Sequence, residues 1–409
     1  MVKFLKRFPI NFYPILCVAS LFCARFYSLP IIPLLLCVVS AYFVLTFNDR
    51  RCRGNSGVKL VKAIGVYIFF SLLIYAIYGR PVEIFLHGLY GYVFPVAFFF
   101  LAVSSNDEEI QSFYHKTFMA LMFTYIVGLY LYIVNPGWYY DWRASQLSVL
   151  LGDQNAENYI IYYKNLSSFF SHSYFVGFTA IWALSYVCNK IFTMPKISYG
   201  YFSALAIIIL VELLAQQRAS TVICVGIVVY YTVKEFQVRR FRITYLFIIL
   251  IAALSYFVIR HIDELQIILE RYMTILDLSV LSDGRDEQWK LVYKNFNNYL
   301  FGEGFNFAGH KARDYGFNSI ADGEFFKDFY EFGILGFSIL YIFFAATMMK
   351  AYKYRNLYMI ELPVVVGFIA LKYGANPFGM NNIIPLYWFS AGVVWRQIKK
   401  IKQFKQTQY

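Results

Sequence analysis

The apolar residues of this chain fall into long blocks, each close to the roughly 20 residues that a helix needs to cross a hydrocarbon core of ~30 Å. Of the 409 residues, 59% are hydrophobic and only 15% are charged. A water-soluble domain of this size would need far more polar surface. The sequence therefore predicts an all-α, polytopic membrane protein of about twelve transmembrane helices. We place the spans near residues 9–24, 29–47, 62–78, 84–103, 117–134, 168–188, 197–215, 219–233, 243–259, 330–349, 359–371 and 383–395.

The distribution of charge predicts how these spans are oriented. If the N-terminus is cytoplasmic, the inner connections and termini collect most of the 37 Lys and Arg, and the outer connections collect most of the 24 Asp and Glu. This is the positive-inside pattern of a multi-pass protein with both termini in the cytoplasm. The basic pI of about 9.2 follows from residues beside anionic lipid headgroups, so membrane lipid is an expected partner and nucleic acid is not.

Two of the outer connections are long, and loops of this length are usually functional. They run over 135–167 and 260–329 and separate three groups of spans, at 1–134, 168–259 and 330–409. The longer connection is helical in pattern. Apolar spacing predicts an amphipathic helix over 263–278, a second helix over 284–300, and a third that begins near Asp322.

Two ionisable residues lie at the turn between the seventh and eighth spans, in the segment LLAQQRAS. Arg218 is at the predicted membrane boundary, and Glu212 is about two turns inside the preceding span. A charged group within a span costs roughly 3 kcal/mol on insertion scales, so it is usually paired or functional. The alternative is that Arg218 extends to phospholipid headgroups and that a neighbouring helix neutralises Glu212.

The connection 260–329 adds groups that suit an anionic ligand. The segment SDGRDEQW holds Arg285 and, four residues later on the same helical face, Trp289. A guanidinium offers five fixed donors for phosphate oxygens and keeps its charge at any working pH. For Arg285 alone, a surface ion pair with Asp286 or Glu287 is the simpler interpretation.

A run of charged residues leads into the tenth span, in ADGEFFKDFYEFGILG. Carboxylates at a membrane boundary are candidates for a general base whose pKa is raised by desolvation. The alternative is that they are solvated charges at a helix start, where they favour the helix dipole. His310, in GHKARD, is a second candidate, because the ordinary pKa of histidine lies near neutrality; the alternative is that it is simply an exposed loop histidine. The polar face of this run consists of Asp322, Glu324, Lys327, Asp328 and Glu331.

The first long connection is rich in aromatic residues, in NPGWYYDWRASQ. Arg143 follows directly after Trp142, close to Trp138, Tyr139 and Tyr140. Aromatic faces stack on sugar rings, so the segment suits a glycan. An aromatic belt at the membrane interface would have the same composition.

In their order and predicted membrane side, these motifs resemble the O-antigen polymerase and ligase superfamily of membrane glycosyltransferases, the Wzy and WaaL types. The resemblance covers about residues 200–340 by motif and the whole chain by topology. Its elements are Arg218 in QQRAS, Arg285 and Trp289 in GRDEQW, a Gly-x-Gly turn in GEGFN, and a polar residue eleven before the Gly of EFGILG. Ligases carry His at that last position, where this chain has Asp322, so the chain looks more like a polymerase.

The resemblance implies a GT-C-like fold with a large helical periplasmic loop, in the inner membrane of a bacterium. It also implies a transfer, without metal or other cofactor, between two undecaprenyl-diphosphate-linked glycans on the periplasmic face. In that scheme Arg218 and Arg285 hold the donor diphosphate, Asp322 is the base, and a chain-length co-polymerase is a further partner. The expected substrate-binding residues are Arg143, Trp289, His310, Glu212 and Trp142.

Three other functions share parts of this pattern. A ligase would attach finished polymer to the lipid A core, and Asp322 argues against it. A flippase or another transporter would have a similar number of spans, but transporters concentrate charge in helices around a midplane site. A scaffold for an assembly would need no reactive residues.

Overall fold

The computed structural model describes residues 54–89, 94–151, 166–167, 173–194, 198–239, 241–260, 289–290, 292–320, 323–379 and 383–396, with isolated residues at 10, 52, 91, 270 and 273. Across these residues the regular structure is helical and no strand occurs. The α-helices of this part of the chain are α1 (Ser56–Ile77), α2 (Val82–Gly88), α3 (Ala97–Ser104), α4 (Asp107–Val134), α5 (Gly137–Leu151), α6 (Ser173–Thr193), α7 (Tyr199–Ala215), α8 (Arg218–Gln237), α9 (Arg242–Arg260), α10 (Glu324–Lys353), α11 (Glu361–Leu371) and α12 (Ile384–Trp395).

Five of these helices are long and apolar enough to cross a bilayer, namely α1, α4, α6, α8 and α10. Shorter apolar helices occur at α7, α9, α11 and α12. A chain embedded in lipid must satisfy its backbone polar groups internally, and helices do this. The length and apolar composition of these helices agree with that requirement. The chain is therefore a helical membrane protein.

Most predicted spans from the third onward correspond to a helix, but the span predicted over 84–103 is wrong. The chain there forms α2, then a 3-10 turn at Phe94–Val96, then α3. Pro95 lies in that turn, and proline lacks the N–H that a continuous helix would need and restricts the residue before it. The first two predicted spans, over 9–24 and 29–47, lie outside the described residues.

The long connections also differ from the prediction. The connection 135–167 begins with α5, whose first turn is closed by a hydrogen bond from Tyr139 N–H to the Pro136 carbonyl (2.8 Å). The helix predicted over 284–300 is wrong beyond residue 293, where the chain leaves the helical conformation. The predicted third helix begins at Glu324, close to Asp322. The predicted helix 263–278 lies outside the described residues, apart from two isolated positions.

The described residues divide into two compact units, with the boundary inside α4 after Phe113. The first unit contains α1, α2, α3, α10, α11 and α12. Within it α12 packs along α3, and α10 packs along α1. Gly392 allows the first contact, because a Cβ there would lie 2.3 Å from the Phe99 carbonyl oxygen. In the second contact, the Tyr67 hydroxyl of α1 donates to the Phe332 carbonyl of α10 at 2.8 Å.

The second unit is built around α6, whose side chains are almost all buried. Helices α7, α8 and α9 all pack against α6. Two side chains pin neighbouring helices to it by hydrogen bonds. The Tyr125 hydroxyl of α4 donates to Thr179 Oγ1 at 2.9 Å, and the Tyr231 hydroxyl of α8 donates to the Ser185 carbonyl at 3.0 Å. The Tyr125 and Tyr231 hydroxyls thus both find a partner inside the protein, as buried polar groups usually do.

Candidate functional site

The turn between α7 and α8, in the second unit, holds two of the residues that the sequence singled out. Glu212, in the last turns of α7, is 3% exposed. Its Oε1 accepts hydrogen bonds from Ser220 Oγ (2.5 Å) and Thr221 Oγ1 (3.0 Å) in the first turn of α8. The helix ends at Gln216, which takes a left-handed φ of 55°. Hydroxyl groups of the protein therefore hold this carboxylate, and Glu212 joins the end of α7 to the start of α8.

Arg218 is the first residue of α8 and is half-buried. Gln217 precedes it as the N-cap residue but gives the helix no side-chain cap. Its amide donates instead to Ser173 Oγ at 2.6 Å. A helix start presents backbone N–H groups and the positive end of the helix dipole. Because Arg218 adds a full positive charge at this point, the start of α8 suits an anion, and phosphate above all.

Arg143 and Trp142 are neighbours on α5, where aromatic packing supports them. Arg143 is 7% exposed, and its guanidinium carbon lies 6.0 Å from the centroid of the Tyr139 ring. Tyr139 stacks on Trp142 with ring centroids 5.6 Å apart. Arg143 is thus a largely buried cation on an aromatic support.

Two contacts attach α5 to the last turn of α7, which precedes Arg218 in the chain. The Tyr139 hydroxyl lies 3.5 Å from Ser167 Oγ. Next to Ser167, the Leu166 N–H donates to the carbonyl of Leu214 at 2.8 Å. Leu214 lies in the last turn of α7. The structure therefore links α5, which carries Trp142 and Arg143, through residues 166 and 167 to the last turn of α7, which carries Glu212 and precedes Arg218.

In the first unit, the first turns of α10 bury the charged residues that precede the predicted tenth span. Four of them are only 0–4% exposed. Lys372, just after α11, places its Nζ 3.1 Å from Glu324 Oε2 and 2.8 Å from Asp328 Oδ2. Lys327 Nζ lies 3.8 Å from Glu331 Oε1. The interpretation of these residues as solvated charges at a helix start is wrong. We call the group of Glu324, Lys327, Asp328, Glu331 and Lys372 the α10 charge cluster.

The opposite face of the same turns is aromatic and faces outward. Phe325 is exposed, and Phe326 and Phe329 are half-buried. A helix in water would expose its charges and bury its aromatic residues. The first turns of α10 do the reverse. This arrangement is typical of a helix whose outer face meets hydrocarbon, because charge is then tolerated only towards the protein interior.

A further ion pair joins the half-buried Arg80, between α1 and α2, to the buried Glu303. The Arg80 guanidinium also lies over the Phe307 ring, 3.8 Å from its centroid. The other carboxylate oxygen of Glu303 accepts the backbone N–H groups of Asn297 (2.7 Å) and Asn298 (3.0 Å). The sequence analysis missed Arg80. The available signal was a lone Arg after Gly between two apolar segments.

The Gly-x-Gly turn that carries Glu303 is fitted to a kink in α10. Gly333 interrupts that helix with φ 58° and ψ −173°. A Cβ on Gly333 would lie 2.3 Å from the backbone nitrogen of Gly302. Backbone hydrogen bonds also join the two segments, from Glu303 N–H to the Tyr330 carbonyl (2.9 Å) and from Gly304 N–H to the Glu331 carbonyl (3.0 Å). The turn and the kink therefore form one rigid structure.

Trp289 stands over the start of α10. Its ring stacks on Phe326 with centroids 4.0 Å apart. Gly323 leaves room for the indole, because a Cβ there would lie 2.8 Å from the Trp289 ring. Two other predicted residues of this unit, Arg285 and Asp322, lie outside the described residues. For His310 the structure describes only the backbone, which begins the 3-10 turn His310–Tyr315.

Several titratable residues, namely His87, Lys311 and Asp314, lie near one another in this unit. Partial burial, together with the positive charges of Lys311 and Lys327, lowers the pKa of His87 on α2. Lys311 is exposed and forms an ion pair of 2.7 Å with Asp314. That pairing raises the pKa of Lys311 and lowers the pKa of Asp314. We therefore expect His87 to be mostly neutral at pH 7, whereas Lys311 carries the local positive charge.

Within the described ranges, no three His, Cys, Asp or Glu side chains come together as a metal site. No model of a known protein family matches the chain, and no curated protein matches it either. No match therefore assigns a function to the charged groups described above.

Proposed function

We propose that this protein is a membrane glycosyltransferase of the Wzy type, which polymerises oligosaccharide repeat units carried on undecaprenyl diphosphate. The observation that carries the proposal is the position of Arg218 at the start of α8, where helix dipole and guanidinium together favour an anion. The attached helix α5 adds a buried cation, Arg143, and the ring faces of Trp142 and Tyr139, which suit sugars. A diphosphate joined to a glycan presents both kinds of group.

In the proposed reaction, the bond between the growing glycan and its diphosphate breaks. A new glycosidic bond forms between the anomeric carbon and a hydroxyl oxygen of the acceptor repeat unit. The bonding electrons leave with undecaprenyl diphosphate, and the hydroxyl proton passes to a base. Arg218 stabilises the negative charge that develops on the departing diphosphate. The resemblance gives Arg285 the same role and makes Asp322 the base, with His310 as the alternative, and these roles stay predictions from the sequence.

The proposed location is the bacterial inner membrane, with both termini in the cytoplasm and the reaction on the periplasmic face. The bias of Lys and Arg towards one set of connections supports this orientation. A lipid-linked substrate places its diphosphate at the headgroup layer, and Arg218 at the end of an apolar helix suits that depth. A chain-length co-polymerase remains a proposed partner from the resemblance.

Replacing Arg218 with Ala tests the proposal. We expect the variant to insert normally and to reduce the surface glycan to single repeat units, because one charge-stabilising donor contributes about 100- to 1,000-fold to rate in comparable sites. Gel banding of extracted glycans from cells that express each variant measures chain length. The Arg218→Lys variant should retain part of the activity, since an ammonium keeps the charge but not the bidentate geometry.

Arg355→Ala is the matched control, because it also removes one guanidinium. Arg355 is exposed and follows the C-terminal end of α10. It should leave the glycan ladder unchanged. A normal ladder from Arg218→Ala at normal protein levels would contradict the proposed diphosphate role.

One observation favours a transporter of lipid-linked oligosaccharide as the second candidate. The α10 charge cluster places five ionisable side chains inside the protein, as transporters do around their substrates. The cluster lies in the first turns of its helix, however, and its charges are paired with one another. A transporter would move intact repeat units without lengthening them, so the same gel separates the two functions.

Deletion of the gene distinguishes a polymerase from a ligase. Loss of a ligase would leave long lipid-linked polymer that is not attached to its final acceptor. Loss of a polymerase would leave single repeat units. The two outcomes differ in the length of the lipid-linked glycan.

A further inference from the structure

A groove in the first unit is lined almost wholly by aromatic side chains. It encloses about 620 Å³ between the segment 289–293 and the first turns of α10. This volume lies in the range of roughly 300–1,000 Å³ that is usual for pockets that bury a drug-sized ligand. The aromatic lining consists of Trp289, Tyr293, Phe325, Phe326, Phe329 and Phe337.

The walls of this groove suit hydrocarbon better than sugar. A sugar ring stacks on aromatic faces but also needs hydrogen-bond partners for its hydroxyl groups, and a hydroxyl without a partner is costly. The Tyr293 hydroxyl already donates to the Phe326 carbonyl at 2.7 Å. Four of the six aromatic residues are Phe and carry no polar atom in the side chain. An unbranched or branched hydrocarbon chain makes no such demand.

The position of the groove gives it access to lipid. It lies along the outward aromatic face of α10, opposite the α10 charge cluster. That face meets hydrocarbon in the inverted arrangement described above. The remaining lining residue is Lys290, which is exposed. An ammonium at the rim of an apolar groove is complementary to an amphiphile that has an anionic head and a hydrocarbon tail.

We propose that this groove binds the polyprenyl chain of a lipid-linked substrate, with Lys290 at the rim on the side of the anionic head. The inference rests on the proposed function, since that function supplies the polyprenyl diphosphate. It assigns to Phe325, Phe329 and Phe337 a part in recognising the carrier lipid rather than the glycan. The length of the lipid chain that enters the groove then contributes to affinity, because each further CH₂ that leaves water adds to the hydrophobic stabilisation.

The direct test is photo-crosslinking of the full-length protein in vesicles of phosphatidylethanolamine and phosphatidylglycerol. Benzoylphenylalanine replaces Phe329 in one variant and Ile342 in the control. Ile342 lies on the same helix and is exposed, but it does not line the groove. The probe is radiolabelled undecaprenyl diphosphate without a glycan. We expect about tenfold more label on the Phe329 variant, and competition by unlabelled probe. Equal labelling at both positions, crosslinks to phospholipid alone, or crosslinks to another protein would each overturn the inference.

A kinetic test separates this inference from the proposed function. Purified wild-type protein and the double variant Phe325→Ala and Phe329→Ala are given repeat units either on undecaprenyl diphosphate, the long substrate, or on methyl diphosphate, the short substrate, which has no prenyl chain. The KM of the long substrate should rise about tenfold in the double variant, and the KM of the short substrate should stay the same. Equal changes in KM for both substrates would contradict the proposal that the groove binds the polyprenyl chain. If wild-type protein lengthens neither substrate, the proposed function fails, and the crosslinking result alone decides whether the groove binds the lipid.

Discussion

The α10 charge cluster is important for the stability of the first unit. Lys372 contacts two carboxylates, of Glu324 and Asp328, and all three side chains are almost completely shielded from solvent. A buried ion pair gains little over a well-packed apolar pair, but removal of one partner leaves an uncompensated charge. The cluster is therefore a sensitive point for stability, whether or not it takes part in a reaction.

Lys372→Met tests this directly. We expect a loss of about 3–5 kcal/mol in unfolding free energy, because two carboxylates lose their counter-charge inside the protein. Thermal unfolding in detergent micelles measures the loss. Lys353→Met, at an exposed position on α10, is the control and should change the midpoint little. If Lys372→Met unfolds at the wild-type temperature, these charges are not buried together as described.

The kink residue of α10 gives a second test at this scale. Gly333→Ala should destabilise the protein by more than the roughly 1–3 kcal/mol of backbone strain, because the added Cβ also meets the Gly302 backbone. Gly226→Ala on α8 is the matched control, since a Cβ there meets no atom within 4 Å. The control should be neutral or slightly stabilising. Equal melting temperatures for the two variants would contradict the close fit of turn and kink.

At the scale of elements, the Gly-x-Gly turn fits against α10 on one side and is bound to the end of α1 and the segment after it on the other. Arg80 reaches from that segment to Glu303, and Tyr75 of α1 donates to the Phe305 carbonyl at 2.7 Å. These contacts fix a part of the long connection 260–329 that composition alone would leave as a loop. Glu303 is central, because it also accepts two backbone N–H groups of the preceding chain.

A double-mutant cycle with Arg80→Met and Glu303→Gln measures this link. We expect each single change to be destabilising and the two changes to be strongly non-additive, with a coupling of about 0.5–3 kcal/mol. Unfolding in detergent with increasing denaturant gives the four free energies. Additive effects would mean that the two side chains do not stabilise one another.

A comparison of predicted and observed helices shows which structural features the sequence predicts. Apolar windows predict most membrane helices well, because burial in lipid requires length and apolarity and little else. The window 84–103 fails because hydropathy does not register the break at Pro95. The charges of Glu324 and Asp328 mark a polar face, but the sequence does not say whether that face points to solvent or inward. Only the distant partner Lys372, brought close by the fold, decides it.

For the whole molecule, the predicted site residues belong to both compact units. Arg143, Glu212 and Arg218 belong to the second unit, and Trp289 belongs to the first. The order of these residues along the chain suggested the resemblance, and the contacts of residues 166 and 167 link the helix of Arg143 to the helix of Glu212. The link from Leu166 to Leu214 could not be predicted, because it is a single backbone hydrogen bond between a connection and a helix end. Arg80 was missed because no motif surrounds it.

The central claim is that the protein lengthens a lipid-linked glycan and releases the lipid diphosphate. The most direct measurement reconstitutes purified protein in vesicles with one defined undecaprenyl-diphosphate-linked repeat unit and follows both products. We predict a ladder of glycan lengths and one molecule of undecaprenyl diphosphate released for each new glycosidic bond, with both lost in Arg218→Ala. Movement of intact repeat units across the bilayer without lengthening, or no consumption of the substrate, would contradict the account.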